Sequence, residues 1–264
     1  MTLLLLLEAT DGLLAISDGR ITRTEPDGNT YPLTDHARKG TFTPGASIVA
    51  MASGRMNFAD QDVATVFKSA LVRAVSIADA SGGRLSVKLA AKACFDALNK
   101  ANEAHEIPEH GVMALVAGFD ETEDAAQVYE FTVPDTGGGP QPSLSFLRDR
   151  FLALPVHNDT SDLVGAKFGL LTTDQYCQRL DDSADDPTTD FLGQFSLAGQ
   201  DLRSVEAAVT EILPAFLATD FARLDREGVG GQWLVFRVRP DCDVEQEPYA
   251  WGPMRASVED SPGP

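Results

Sequence analysis

Thr2-Leu3-Leu4-Leu5-Leu6-Leu7-Glu8-Ala9-Thr10-Asp11-Gly12-Leu13-Leu14-Ala15-Ile16-Ser17-Asp18-Gly19-Arg20-Ile21-Thr22 reads as two apolar runs folded about one turn. Asp-Gly between strand-like runs is a strong hairpin signal. The second arm would return Asp18 to the neighbourhood of Thr2. Met before a small residue such as Thr is normally trimmed, and loss of Met1 would leave Thr2 with a free α-amine beside its own hydroxyl. A threonine hydroxyl is a weak nucleophile until a base takes its proton, and an N-terminal amine can be that base. Its pKa of about 8 leaves a useful fraction unprotonated near neutrality. The competing reading is an ordinary edge hairpin with Thr2 at its start by chance, since a hairpin signal carries no chemistry of its own.

Outward from this stretch, the totals set bounds. A chain of 264 residues fits one large domain or two small ones. Hydrophobic residues make up 43% and charged residues 23%, an ordinary composition for a soluble domain. The net charge of -19 argues against nucleic-acid binding, which needs a basic footprint. Cys94, Cys177 and Cys242 are far apart and odd in number, with no Cys-x-x-Cys, so neither a zinc site nor a disulfide framework is expected. His36, His105, His110 and His157 lack metal-ligand spacing. Reduced thiols point to a cytoplasmic setting. The opening leucine run is too short to span a bilayer, and it lacks the basic lead of a signal peptide. No membrane, metal or cofactor role is expected.

Along the chain, residues 23–35 read as a loop or a short exposed hairpin, rich in Asp, Gly, Pro and Thr. Lys39 follows, then a buried strand over 46–52. Val63, Val66, Phe67, Ala70, Leu71, Ala74 and Val75 recur at helical steps and predict a helix over 58–80, capped by Asn57 or Asp60. A second helix is expected over 86–104, and strands over 112–120 and 127–133. Residues 135–142 are glycine-rich, but no Lys-Ser/Thr follows them, which excludes a phosphate-binding loop. The stretch from Leu144 to Phe195 is the least readable: 161–171 suggest a strand, a turn and a strand and 172–180 a short helix, and the acidic run at 181–186 lacks the alternation of a calcium loop. A third helix over 204–221 should be kinked or divided at Pro214. A glycine-rich break at 228–231 precedes a strand over 232–238. The predicted class is α+β, in which two sheets between two helix layers would bury both faces of the strands. Residues 1–244 form one domain in this reading, with 134–200 divergent or inserted and 245–264 a loose tail.

With those residues in view, the chain resembles the proteasome β-subunit group of N-terminal-nucleophile hydrolases, with the bacterial Anbu-type proteins nearest. That group begins with a nucleophilic Thr, a strand, a turn, and a strand ending in an acidic residue followed by Arg, a β-branched residue and Thr. Here Asp18-Gly19-Arg20-Ile21-Thr22 stands at the matching distance from Thr2. Lys39 falls where the group has its catalytic lysine, after a somewhat longer loop. The likeness covers about the first half of the chain, to residue 133, and is weak beyond it.

The resemblance implies a four-layer αββα sandwich of the N-terminal-nucleophile hydrolase type. It implies amide hydrolysis in which Thr2 supplies both Oγ and the α-amine. Lys39, held by Asp18, would lower the pKa of nearby groups by its charge. The backbone N–H near Met51 would join the oxyanion hole, and a peptide would add as a strand along Thr22 and the Ala50–Met51 edge. Arg20, Asp225 and Ser196 are the supporting candidates. The sequence departs from the group at Met51, where a Gly is usual, and at Arg226 and Val229, where an Asp and a Ser precede paired glycines. Asp225 lies one residue off and Ser196 stands in for a serine without a clear counterpart.

The expectation is therefore a cytoplasmic threonine peptidase or amidase acting on peptide or protein substrates. It would assemble as a ring or another homo-oligomer, its regulatory or ATPase partner being unidentified. An acyl-enzyme passed to an amine would make the same site a ligase or transpeptidase. A third reading, motivated by Met51, Arg226 and Val229, is a non-catalytic structural or regulatory subunit. No Gly-x-Ser-x-Gly elbow supports serine catalysis.

Overall fold

The computed structural model describes residues 3–24, 30–54, 56–58, 61–104, 112–120, 126–133, 143–146, 166–168, 200–218, 230–241 and 244–249. The architecture is α+β, with every sheet antiparallel. Strands β1 (Leu3–Ala9) and β2 (Gly12–Ser17) make the predicted hairpin, with Leu4 opposite Ser17 and Ala9 opposite Gly12. Of the two readings of residues 23–35, a loop or a short hairpin, the hairpin is the one found, as β3 (Ile21–Thr24) paired with β4 (Thr30–Thr34). Next come β5 (Gly40–Phe42), β6 (Ile48–Gly54) and the short pair β7 (Asn57–Phe58) and β8 (Gln61–Asp62). Helices α1 (Val63–Ala80) and α2 (Val87–Glu103) follow, then β9 (Val112–Gly118), β10 (Gln127–Val133), β11 (Ser143–Phe146) and β12 (Ala166–Phe168). Helix α3 (Leu202–Ala218), β13 (Trp233–Val238) and β14 (Val244–Tyr249) complete the order.

One five-stranded sheet runs β12-β1-β2-β13-β14 and the other β11-β10-β9-β6-β5. Side-chain alternation along β6 sends Val49 and Met51 to one face and Ile48, Ala50 and Ala52 to the other. Val49 and Met51 share a core with Leu4, Leu6, Leu13, Ala15 and Phe236 of the first sheet. Ile48, Ala50 and Ala52 share another with Phe67 and Leu71 of α1 and Ala90, Cys94 and Leu98 of α2. Strand faces buried on both sides explain why β2 and β9 read as continuous apolar runs rather than alternating ones. Phe131 anchors the helix-side core, with edge-on rings of Phe67 and Phe95 at centroid distances of 6.1 and 5.6 Å.

Capping fixes the helix ends. The Asp62 carboxylate accepts from Thr65 N at 2.6 Å and starts α1, five residues beyond the expected start at 58; residues 57–58 and 61–62 are in β7 and β8 instead. Ser86 caps α2. The first turn of α3 docks on the opening hairpin: Leu202 N donates to Asp11 Oδ1 at 2.7 Å and Thr10 N to Gln200 O at 2.9 Å. Helix α3 runs through Pro214 undivided. Residues 245–249, expected in a loose tail, instead pair with β13 in β14, with Trp233 opposite Tyr249, and the rest of the expected tail lies outside the described residues. Among the described residues, no helix is long and apolar enough to cross a membrane.

Candidate functional site

The site is built where β2 ends. Asp18 is fully buried directly after β2, and a buried carboxylate is tolerated only when its oxygens are satisfied. Oδ1 accepts from Lys39 Nζ at 2.9 Å. Oδ2 accepts from the backbone N–H groups of Arg20 and Gly230, each at 3.2 Å. Lys39 is only 1% exposed and sits immediately before β5; its carbonyl accepts from Ala52 N at 2.7 Å, which ties it to β6. Thus Asp18 of one sheet and Lys39 of the other meet across the boundary between the sheets.

Burial pushes the Lys39 amine below the ordinary lysine value. Asp18 opposes that shift through its charge and its hydrogen bond, while the Arg20 guanidinium adds to the lowering. The outcome is a dry cation of reduced pKa, able to stabilise a nearby anion or to give up its proton at lower cost than a surface lysine.

A second buried pair lies beside the first. Arg20 donates through Nε to Asp35 Oδ1 at 2.7 Å and through Nη2 to Asp35 Oδ2 at 3.1 Å, a bidentate fork. Asp35 O accepts from Gln232 N at 2.6 Å, and Gly19 N donates to Gly230 O at 3.0 Å. A Cβ on Gly231, whose φ is +77°, would lie 2.5 Å from Asp35 O, so only glycine lets the chain close down here. The 230–231 glycines are therefore a lid of backbone over both ion pairs rather than a mere break.

Of the expected site residues, Asp18 and Lys39 come together, and Arg20 joins them through its backbone N–H and its charge. Thr2, Ser196, Asp225, Arg226 and Val229 lie outside the described residues. Leu3 opens β1, and the pairing of Leu4 with Ser17 brings that start to the same end of the sheet as Asp18. Thr22 is half-buried in β3 and pairs with Pro32 of β4. The strand-addition edge expected at Ala50–Met51 is occupied: β5 pairs Thr41 with Ala50 and Gly40 with Met51, and β9 covers the other edge of β6. With Ala52 N donating to Lys39 O, the alternation of the ladder turns the Met51 N–H toward β9. The Met51 side chain is wholly buried between the sheets, so it does not narrow a cleft. Beyond Ala52, Ser53 and Gly54 extend β6 past the last β5 pairing, and Gly54 is exposed.

Sequence reasoning missed Asp35. It lies fifteen positions from Arg20, at the end of a segment that reads as a loop or short hairpin, and its only signal is an acidic residue four before Lys39. Among the described residues, no cluster of His, Cys, Asp and Glu is able to hold a metal ion. No protein-family model and no curated protein matches the chain.

Proposed function

We propose that the chain is an N-terminal threonine hydrolase of amide bonds, with Thr2 as nucleophile after removal of Met1. The observation that carries this reading is the buried Asp18–Lys39 pair, 2.9 Å apart, at the end of the sheet where β1 begins one residue after Thr2 in sequence. A buried ion pair is weak evidence for stability, since apolar residues of similar volume do as well. A function for the charge explains its presence better.

In this mechanism Thr2 Oγ attacks the carbonyl carbon of the substrate while its proton passes to the α-amine. Lys39 favours the neutral amine by its charge and stabilises the developing negative charge. The backbone at Ser53–Gly54, adjacent to the Ala52–Lys39 bond, replaces Met51 as the candidate oxyanion donor and substrate edge. Collapse of the tetrahedral adduct expels the amine, which takes the proton, and water then cleaves the ester and restores Thr2.

The four-layer αββα sandwich belongs to the same proposal. It is supported by the core shared between the sheets, the α1–α2 cover over β6, β9 and β10, and the docking of α3 on the β1–β2 hairpin. The partner class is a peptide or protein substrate, with self-association of the chain and a cytoplasmic setting as further elements of the reading. The test is cleavage of a peptide-amide library by the purified chain and its Thr2→Ala variant. Cleavage lost in the variant supports the proposal, and equal cleavage by both rules it out.

A further inference from the structure

We propose that the furrow between α1 and α2 is a docking site for an acidic amphipathic helix of a partner protein. The proposal stands apart from the threonine-hydrolase reading and does not depend on it.

The two helices are joined through residues 81–86 and pack side by side over the helix-side core. Their facing rows are small. Ala70 and Ala74 on α1, and Ala93, Ala97 and Ala101 on α2, recur at four-residue steps, which puts each set on one helical ridge. All but Ala70 are half-buried, and they rest on the core beneath. Methyl groups do not fill the space between the ridges, so a furrow of about 830 Å³ stays open. Ile77, 58% exposed, lines it as a large apolar contact. From Val66 to Ile77 the α1 side runs for about 16 Å, three turns of a docked helix.

Charge sets the chemistry of the occupant. Residues 61–104 contain six Lys or Arg and four Asp or Glu, a net +2 in a chain of -19, so the remaining residues carry -21. The rim follows the same bias. Arg73 on α1 and Lys100 on α2 are exposed, and neither has an ion-pair partner among the described residues. Asp96, a carboxylate on the same rim, is taken by Lys92, whose Nζ lies 2.8 and 3.0 Å from its two oxygens. An apolar floor with an unpaired cation on each bank fits a helix whose apolar stripe is flanked on both sides by Glu or Asp. The same face of a second copy is a poorer match, because cationic banks would meet cationic banks.

The test uses the full chain and two capped, helix-forming model peptides of about 16 residues, with leucines at i, i+3, i+4 and i+7. One carries Glu on both flanks of the leucine stripe and the other Gln, and binding is followed by fluorescence anisotropy. The acidity of the chain as a whole disfavours the Glu peptide, so tighter binding of that peptide reports a local cationic site. The Glu peptide is expected to bind about fivefold to tenfold more tightly than the Gln peptide, the size of two exposed charge pairs. Arg73→Gln with Lys100→Gln, both at exposed positions, should abolish that preference. Ala97→Leu, which fills the furrow, should weaken both peptides. Absence of binding, equal binding of the two peptides, a Glu preference that survives the double substitution, or unchanged affinity in a folded Ala97→Leu protein overturns the proposal. If Ala97→Leu does not fold, the charge variant decides alone. A native chain that sediments as a dimer and becomes a monomer in Ala97→Leu would place a second copy in the furrow and overturn the proposal as well.

Discussion

Asp18→Asn is the substitution that most sharply exposes the energetics of the site. It keeps the shape and one acceptor oxygen but removes the charge that holds Lys39, which is 1% exposed and lies near a second cation, Arg20. Breaking one side of a buried pair typically costs about 3–5 kcal/mol, because the remaining charge is stranded. Here the cost has a ceiling, since Lys39 can shed its proton instead. Deprotonating a lysine of unfolded pKa about 10.4 at pH 7 costs about 1.36 kcal/mol per unit over about 3.4 units, or about 4.6 kcal/mol. The expected loss at pH 7 is therefore about 3–4.6 kcal/mol. The sign of the pH dependence follows. With the folded pKa of Lys39 pushed below its unfolded value, the unfolded state binds more protons between the two, so stability rises with pH across that window. The deficit of the variant relative to native should shrink from pH 7 toward pH 10, by up to about 1.4 kcal/mol per unit where only the native Lys39 is protonated. Urea unfolding at several pH values, with a constant denaturant slope, measures this. A loss below about 1 kcal/mol at pH 7, independent of pH, would refute the reasoning.

Further outcomes follow from the same geometry. Gly231→Ala, at φ +77° with its Cβ 2.5 Å from Asp35 O, should lose about 2–4 kcal/mol, strain and overpacking together, while Gly45→Ala, at φ +82° in open space, should lose only about 1 kcal/mol in the same melts. Cys94 lies wholly buried among apolar side chains, where burial pushes its thiol well above the usual range, so iodoacetamide should leave it unmodified in the native protein and alkylate it in urea. Ser17 Oγ is buried without a hydrogen-bond partner among the described residues, so Ser17→Ala should be neutral or stabilising by up to about 1 kcal/mol in thermal unfolding; a loss above that would reveal a partner. Phe67→Ala, which empties the centre of the helix-side core, should cost about 3–5 kcal/mol by urea unfolding.

Legibility of the sequence tracked the length and periodicity of each element. The β1–β2 hairpin was readable because Asp11-Gly12 punctuates two apolar runs, and β10 was read to the residue because it alternates. Helices α1 and α2 were readable from their repeats, though the true cap of α1, Asp62, lay hidden behind Asn57 and Asp60. Strands β5 and β14 were not, since three to six residues at a sheet edge carry no periodic signal and are specified by their partners. Helix α3 is continuous across Pro214, so of the two expected effects, a kink or a division, the division does not occur. In the site, Asp18 and Lys39 stood out through their spacing from Thr2, whereas the Ala50–Met51 stretch expected to accept an added strand has both its edges paired. Only the register shows that β5 covers Ala50 and Met51 and stops short of Gly54. Asp35 was illegible for a related reason: a partnership between loop residues fifteen positions apart has no local pattern, and Gly231, which packs against it, comes from the other end of the chain.

The central proposal is that Thr2 is a working nucleophile that depends on the Asp18–Lys39 pair. It is tested most directly by intact mass and peptide mapping before and after incubation with a threonine-reactive epoxyketone, on the native chain and on Thr2→Ala. The account predicts a native protein lacking Met1 that gains one adduct, mapped to residue 2, and a variant that gains none. Retained Met1, or a processed protein that takes up no adduct at any concentration, would contradict it.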